Sequence, residues 1–292
     1  MSYFTILGLE KEPFSTSPDP SLFYKSKDHK AALYRLMISL RLKRGLNLIL
    51  GDVGTGKTTL SRKLYQFLSA DSVFDFHIIL NPSFPSETAF LAKLAELFYP
   101  QTSYTDFSSA DYLNAIEKRL LELDVKEKKT VVILIDEAQK LNRSSLEILR
   151  TLLNFETNEY KLVQLILMSQ LELLPKIIGL RNFWDRIALK YMLNPLSLFE
   201  TKEMIQFRLR EAGYKAKLPL FTEDAYEAIY AYSEGYPRRI TALCHNLLER
   251  IVMDNKSVVN QNIVQQVISD ENTILHAAQR VSAFEDWEDI KP

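Results

Sequence analysis

Apolar positions fall in two kinds of block along this chain, and the length of each block says which element it builds. Short, nearly unbroken apolar runs occur at Leu46–Leu50, Phe76–Leu80, Thr130–Ile135, Leu162–Met168 and Ala188–Leu193. Runs of this length, with β-branched residues concentrated in Thr130–Ile135, are the pattern of strands covered on both faces. Between them, apolar residues recur at spacings of three and four, predicting helices over 28–43, 86–98, 110–123 and 144–154 and a helical turn near 171–178. Strands alternating with helices argue for an α/β fold: a parallel sheet with right-handed crossovers, sandwiched by helices. From Leu198 onward the strand pattern stops, and helices are predicted over 200–212, 222–232, 238–253 and 260–269. The expected organisation is an α/β domain over 1–197, a small all-helical domain over 198–269 and an acidic tail over 270–292. Within the first domain, residues 1–30 carry Pro13, Phe14, Ser17-Pro18-Asp19-Pro20, Phe23 and Tyr24, a composition that predicts extended and turning chain.

Bulk numbers narrow the class without choosing a function. A length of 292 residues fits two domains, and 47% apolar with 25% charged residues is ordinary for a globular chain. A formal net charge of −1 gives no global pull toward nucleic acid, leaving only a local basic patch as a route to it. The lone cysteine, Cys244, sits in a helical pattern and reads as a small core hydrophobe. The opening Met-Ser-Tyr-Phe lacks the basic and apolar regions of a signal peptide, and no apolar run approaches the ~20 residues that span a bilayer. The expectation is a cytoplasmic chain with no transmembrane segment, peripheral at a membrane only through a partner. Scattered histidines offer no metal-ligand spacing, and no Gly-x-Ser-x-Gly elbow is present.

One local motif then changes the picture. Gly51-Asp52-Val53-Gly54-Thr55-Gly56-Lys57-Thr58-Thr59 satisfies the phosphate-loop pattern in full, and it lies between the Leu46–Leu50 run and a helical pattern through Leu60, Leu64 and Leu68. Glycines let the backbone wrap phosphate oxygens, and the loop N–H groups together with the helix N-terminus point donors at them. Lys57 is placed to reach the β- and γ-phosphates of ATP, and Thr58 offers a hydroxyl to Mg²⁺. Three of the chain's eight glycines fall within this loop, which makes a compositional accident a poor explanation.

A second feature completes the chemistry. The apolar run Val131–Ile135 ends in Asp136-Glu137, which puts carboxylates at the carboxyl edge of the sheet, where open α/β sheets bind ligands. Asp136 is the candidate Mg²⁺ ligand, and Glu137 the candidate base that orients and deprotonates the attacking water. The strand at Phe76–Leu80 separates the two motif strands in sequence, which fits the additional-strand class of phosphate-loop NTPases.

With these residues in hand, the chain resembles the AAA+ ATPases. Gly51–Thr58, Asp136-Glu137-Ala138-Gln139, Arg186 ahead of a final strand and Gly235-Tyr236-Pro237-Arg238 carry the likeness. Tyr3-Phe4, Leu7-Gly8-Leu9, Pro13-Phe14, Phe23-Tyr24, Ser26, His29 and Ala32-Leu33 resemble one branch, the general secretion pathway protein A ATPases, together with the related pilus-biogenesis ATPase MshM. Leu193, Pro195-Leu196-Ser197, Phe207-Arg208-Leu209 and Ala212-Gly213 agree, so the likeness covers roughly residues 3–268. It implies a helical lid over 198–269 and roles for four more residues. Arg186 stands at the place of an arginine finger that acts on a neighbouring subunit's ATP, and Arg238 at that of a second sensor reaching the γ-phosphate. Gln170, after Ser169, stands at the first-sensor position beside the attacking water, and Asn81 is placed to hydrogen-bond Glu137 and hold it inactive. The resemblance further implies a homo-oligomer, a hexameric ring, working with secretion or type IV pilus assembly proteins at the inner membrane. Relatives often continue into a membrane span and a peptidoglycan-binding domain; this sequence stops before either, which favours the short, pilus-type relatives.

Two rival readings share the same core. One is an ATP-gated DNA-binding ATPase resembling the transposition proteins TniB and MuB; the other is a slow nucleotide switch. In the tail, Phe284, Trp287 and Ile290 recur at a spacing of three, which would align them on one helical face as a short docking peptide.

Overall fold

The computed structural model describes residues 2–15, 20–99, 107–216 and 218–273. Two features expected from sequence, the Ser17-Pro18-Asp19 turn and the docking peptide at Phe284–Ile290, lie outside the described residues. The chain divides into two compact units, one formed by Lys25–Asn194 and the other by the described residues up to Tyr24 together with those from Pro195 onward.

The first unit is built on five strands: β1 (Leu46–Gly51), β2 (Phe74–Ile79), β3 (Thr130–Ile135), β4 (Val163–Ser169) and β5 (Ile187–Leu193). All four pairings are parallel and the order is β2-β3-β4-β1-β5. Every residue of β1, β3 and β4 is buried, whereas the edge strands β2 and β5 are partly exposed. That difference explains the patterns: central strands read as continuous apolar runs, edge strands as mixed ones. Strand β4 lies between the phosphate-loop strand β1 and the acidic strand β3, so the inserted strand in space is β4, while β2 forms an edge.

Helices α2 (Lys27–Arg41), α3 (Lys57–Ser69), α4 (Glu87–Phe98), α5 (Ser109–Val125) and α6 (Arg143–Leu152) cover this sheet, with two short helices, α7 (Leu173–Ile178) and α8 (Arg181–Trp184), before β5. The starts are set by side-chain caps. Ser26, Ser86, Ser108 and Asn142 each accept a hydrogen bond from the backbone N–H three residues on, leaving fewer orphan donors in the first turn.

The second unit holds α9 (Leu198–Glu211), α10 (Glu223–Ser233), α11 (Pro237–Met253) and a helix, α12, from residue 261 to 273, where the described residues end. A Ser197–Glu200 capping box opens α9, and Pro237 occupies the first turn of α11, where its missing N–H costs nothing. The first residues of the chain belong here, not to the α/β unit as their sequence position suggested. A short helix, α1 (Tyr3–Ile6), leads to Leu9 and Phe14, which are buried in one core with Met204, Phe221, Ile240 and Cys244. The Phe14 and Phe221 rings meet edge-to-face at 6.4 Å, the Glu10 N–H donates to the Ala212 carbonyl at 2.8 Å, and Arg208 Nη1 donates to the Pro13 carbonyl at 3.3 Å. Turn formers with interleaved aromatics thus make a strap held by its rings. Cys244 is fully buried in this core, and burial pushes its thiol well above the usual range, so it packs as an inert hydrophobe.

Candidate active site

The phosphate loop follows directly from where β1 ends. Gly51 closes the strand at the carboxyl edge, opposite Leu193 of β5, and α3 begins at Lys57. The turn into α3 needs left-handed backbone at Gly56, with φ +97°. A Cβ there would also lie 2.8 Å from His29 Nε2, so Gly56 is required both by conformation and by space.

Lys57 is nearly buried, and its Nζ donates to the carbonyls of Gly51 at 2.7 Å and Asp52 at 2.9 Å. Burial pulls its ammonium below the usual lysine range, an effect opposed by the nearby carboxylates of Glu137, Asp136 and Asp52. Lys57 thus places a buried ammonium against its own loop, among carboxylates.

His29, which carries the family likeness in sequence without a role attached, ties this loop to α2. The ring is buried, with Nδ1 2.7 Å from Ser26 Oγ and Nε2 3.1 Å from the Thr55 carbonyl. Because a carbonyl only accepts, Nε2 carries a proton and donates it to Thr55, while Nδ1 shares a hydrogen bond with the Ser26 hydroxyl. Ser26 is also the N-cap of α2, accepting from the His29 N–H at 3.3 Å, so one short segment fixes helix and loop together.

Across β4, strand β3 delivers Asp136 and Glu137. The Asp136 N–H still donates to the Ile79 carbonyl at 2.8 Å, so the carboxylate leaves the sheet at its last paired position. Asp136 is buried and hydrogen-bonded to the Thr58 hydroxyl; burial raises its carboxyl above the usual range, despite the donated Glu137 N–H at 3.0 Å. A buried carboxylate facing a threonine hydroxyl is an all-oxygen donor pair of the kind a hard divalent cation takes. Among the described residues no cluster of three or more His, Cys, Asp or Glu is present that would hold a metal without help from a ligand.

Glu137 turns the chain through left-handed backbone, φ 54° and ψ 36°, into a single 3₁₀ turn over Ala138–Lys140. That turn brings Gln139 back over Glu137: Gln139 Nε2 donates to Glu137 Oε2 at 2.6 Å. The other end of the same amide accepts from Ser169 Oγ and from the Gln170 N–H, each at 3.2 Å. Lys176 of α7 closes the turn, its Nζ donating to the carbonyls of Gln139 at 2.6 Å and Leu141 at 3.1 Å. From sequence, Gln139 appears only within the Asp136-Glu137-Ala138-Gln139 motif, with no role of its own, and Lys176 carries no signal.

The remaining sequence-predicted residues fall as follows. Gln170 stands at the end of β4 and enters the network through its backbone N–H, not through its side chain. Asn81 does not engage Glu137: its Oδ1 accepts from Lys140 Nζ at 3.3 Å, and the carboxylate is already taken by Gln139. Arg186 lies between α8 and β5, its Nη1 donating to the Arg150 carbonyl at 3.1 Å and to Asn154 Oδ1 at 2.6 Å. Arg238 is exposed in the first turn of α11, in the other unit.

A loop of this geometry, opposite an Asp-Glu strand end on a sheet of this order, defines a phosphate-loop ATPase. The AAA domain family matches residues 41–177, which span the loop, β3 and β4. The general secretion pathway protein A of Aeromonas hydrophila is 38% identical over 248 residues, covering 84% of this chain and 44% of that protein. The chain is an AAA+ ATPase of the general secretion pathway protein A type, and it spans less than half the length of that curated relative. Among solved structures, Cdc6p of Pyrobaculum aerophilum is similar with a TM-score of 0.65 at 16% identity, over 88% of this chain and 70% of that one. The RuvB Holliday junction branch migration motor of Thermotoga maritima follows with a TM-score of 0.56 at 18% identity, over 85% of this chain and 72% of that one. These likenesses establish the fold. Among the described residues, no helix is long and apolar enough to cross a membrane.

Proposed function

We propose that this chain is a Mg²⁺-dependent, oligomeric ATPase whose turnover supports assembly of a secretion or type IV pilus-like apparatus at the inner membrane. The observation that carries the chemistry is the convergence of Lys57, Asp136 and Glu137 at one edge of the sheet. Loop N–H groups and Lys57 bind the phosphates of ATP, and Glu137 orients the attacking water and takes its proton. Thr58 and Asp136 would hold Mg²⁺, which would supply positive charge beside the phosphates when bound. Gln170 stands next to the water, Arg238 reads the γ-phosphate from the same chain, and Arg186 serves the ATP of a neighbouring copy in a ring. The link to envelope assembly rests on the 38% identity to general secretion pathway protein A.

Two variants test the chemistry. Lys57→Ala abolishes tight ATP binding, while Glu137→Gln binds ATP and loses turnover; equal loss of affinity in both removes Glu137 as the base. The biological reading is tested by co-purification with secretin or pilus assembly components from the source cell. Affinity for duplex DNA that falls steeply with salt, with no such co-purification, replaces it with the ATP-gated DNA-binding reading.

A further inference from the structure

We infer that Gln139 is a positioning residue for hydrolysis: its amide is a two-ended clasp that sets the Glu137 carboxylate against the carboxyl end of β4. The inference rests on Glu137 being the water-activating base. Gln139 is 8% exposed, and both ends of its amide are engaged: Nε2 by Glu137 Oε2 at 2.6 Å, and Oε1 by the Gln170 N–H at 3.2 Å and by Ser169 Oγ at 3.2 Å, a hydroxyl shared with the Gln170 carbonyl at 3.0 Å. Chemistry fixes which way round the amide lies. A carboxylate only accepts and a backbone N–H only donates, so the flipped amide would lose the contact to Glu137 and set donor against donor at Gln170.

The clasp leaves Glu137 a single free task. Its N–H is committed to Asp136 Oδ1 at 3.0 Å, and its backbone is held in the left-handed region, which disfavours a residue with a Cβ by roughly 1–2 kcal/mol. Surrounding contacts must therefore hold it there. With Oε2 fixed by Gln139, Oε1 has no partner among the described residues and is the oxygen left to take a proton. The far end of the clasp makes the arrangement more than local. Ser169 pairs in register with Leu50, the residue before Gly51, so the carboxylate is set relative to the strand that opens into the phosphate loop. A base aimed by a buried amide, itself aimed by the loop's neighbouring strand, holds the geometry that proton transfer needs.

Two substitutions separate positioning from packing. Gln139→Glu keeps an acceptor for the Gln170 N–H and the Ser169 hydroxyl but removes the donor and sets a second carboxylate beside Glu137. Gln139→Leu removes both ends. The expected result is that kcat for ATP falls about 10–100-fold in both variants, because a catalytic group misplaced by an ångström costs on that order. In Gln139→Glu the KM for ATP and the affinity for a fluorescent ATP analogue stay near wild type. Ser169→Ala, which removes one of two donors to the far end, gives a smaller loss of kcat. Wild-type or faster turnover in Gln139→Glu overturns the inference and leaves Gln139 as an anchor for the end of β4. Loss of nucleotide affinity in step with kcat overturns it equally, as a sign of general damage. Glu137→Gln, measured alongside, tests the premise: full turnover there removes the base and not only its clasp.

Discussion

His29 Nε2 donates to the Thr55 carbonyl across 3.1 Å, joining the first turn of α2 to the crown of the phosphate loop. The carbonyl belongs to the residue before Gly56, whose left-handed backbone starts the turn into α3, so this bond fixes the peptide on which the loop's shape depends. His29→Ala leaves a buried carbonyl without this donor, a loss on the order of 1–3 kcal/mol. Part of that loss appears as a loop that must be ordered by its ligand. The Kd for an ATP analogue, read by fluorescence titration, is expected to rise about tenfold, equivalent to about 1.4 kcal/mol. An unchanged Kd would show that the loop holds its shape without α2.

Asp136 gives a prediction with a definite sign in pH. Burial is the largest influence on its carboxyl and raises it above the unfolded value of 3.8. A raised acid is protonated in the folded chain while already ionised in the unfolded one, so its contribution favours folding below about pH 3.8 and is lost as pH rises through the folded value. At pH 7–8 the folded protein therefore carries the cost of a desolvated charge. Asp136→Asn keeps an acceptor for the Glu137 N–H and removes that charge. Its melting temperature at pH 7–8 is expected to exceed wild type, by about 2–4 °C for each kcal/mol recovered. ATP hydrolysis is lost in the same variant, the stability–activity trade-off of a strained site. A lower melting temperature at neutral pH would mean that attraction to Lys57 outweighs burial.

What the sequence made legible, and what it did not, follows from how local each feature is. The loop from Gly51 to Thr59, the strand into Asp136 and the central strands were readable because their signals lie within a few consecutive residues. Strand β2 begins at Phe74, two residues before its apolar run, because Asp75 and His77 face a partly open edge and break the pattern. The placement of Leu9 and Phe14 was not readable: the Phe14 ring meets Phe221, some two hundred residues away in sequence. Asn81 was a reasonable partner for Glu137 by position, but Lys140 competes for it and the 3₁₀ turn delivers Gln139 instead. A left-handed non-glycine residue has no reliable sequence signature, and the Gln139 clasp depends on one.

Gly235 carries a steric prediction confined to the helical unit. Its φ is +77°, and a Cβ there would lie 1.9 Å from the Leu196 carbonyl oxygen, far inside any permitted contact. The same two residues share a hydrogen bond, the Leu196 N–H donating to the Gly235 carbonyl at 2.8 Å, so the chain entering α9 is pinned to the turn before α11. Gly235→Ala cannot keep both the bond and the turn. The expected outcome is a loss of about 2 kcal/mol or more, the size seen when backbone strain joins a lost buried bond. Thermal unfolding followed by circular dichroism reads it directly, and a wild-type melting temperature would show that the turn relaxes without cost.

Arg186 carries the last prediction, which decides between a structural arginine and one that works on a neighbouring copy. Within its own chain the guanidinium is held at the end of α6, by the Arg150 carbonyl and the Asn154 side chain. Those contacts use one nitrogen, Nη1, while a guanidinium presents five N–H donors. If Arg186 completes the ATP site of a neighbour, Arg186→Ala keeps ATP affinity and loses hydrolysis, by about 10³-fold or more as for other arginine fingers. Asn154→Ala removes only the tether within the chain, so its turnover falls far less. Mixing decides the matter. Neither Arg186→Ala nor Glu137→Gln alone turns over ATP, but a co-assembled mixture contains interfaces that pair an intact Glu137 with an intact Arg186. Activity is expected to peak at intermediate mixing ratios. A mixture that co-assembles by light scattering yet shows no recovery at any ratio assigns Arg186 to the packing of α6 against β5. In that case Arg186→Ala lowers the melting temperature as much as it lowers turnover.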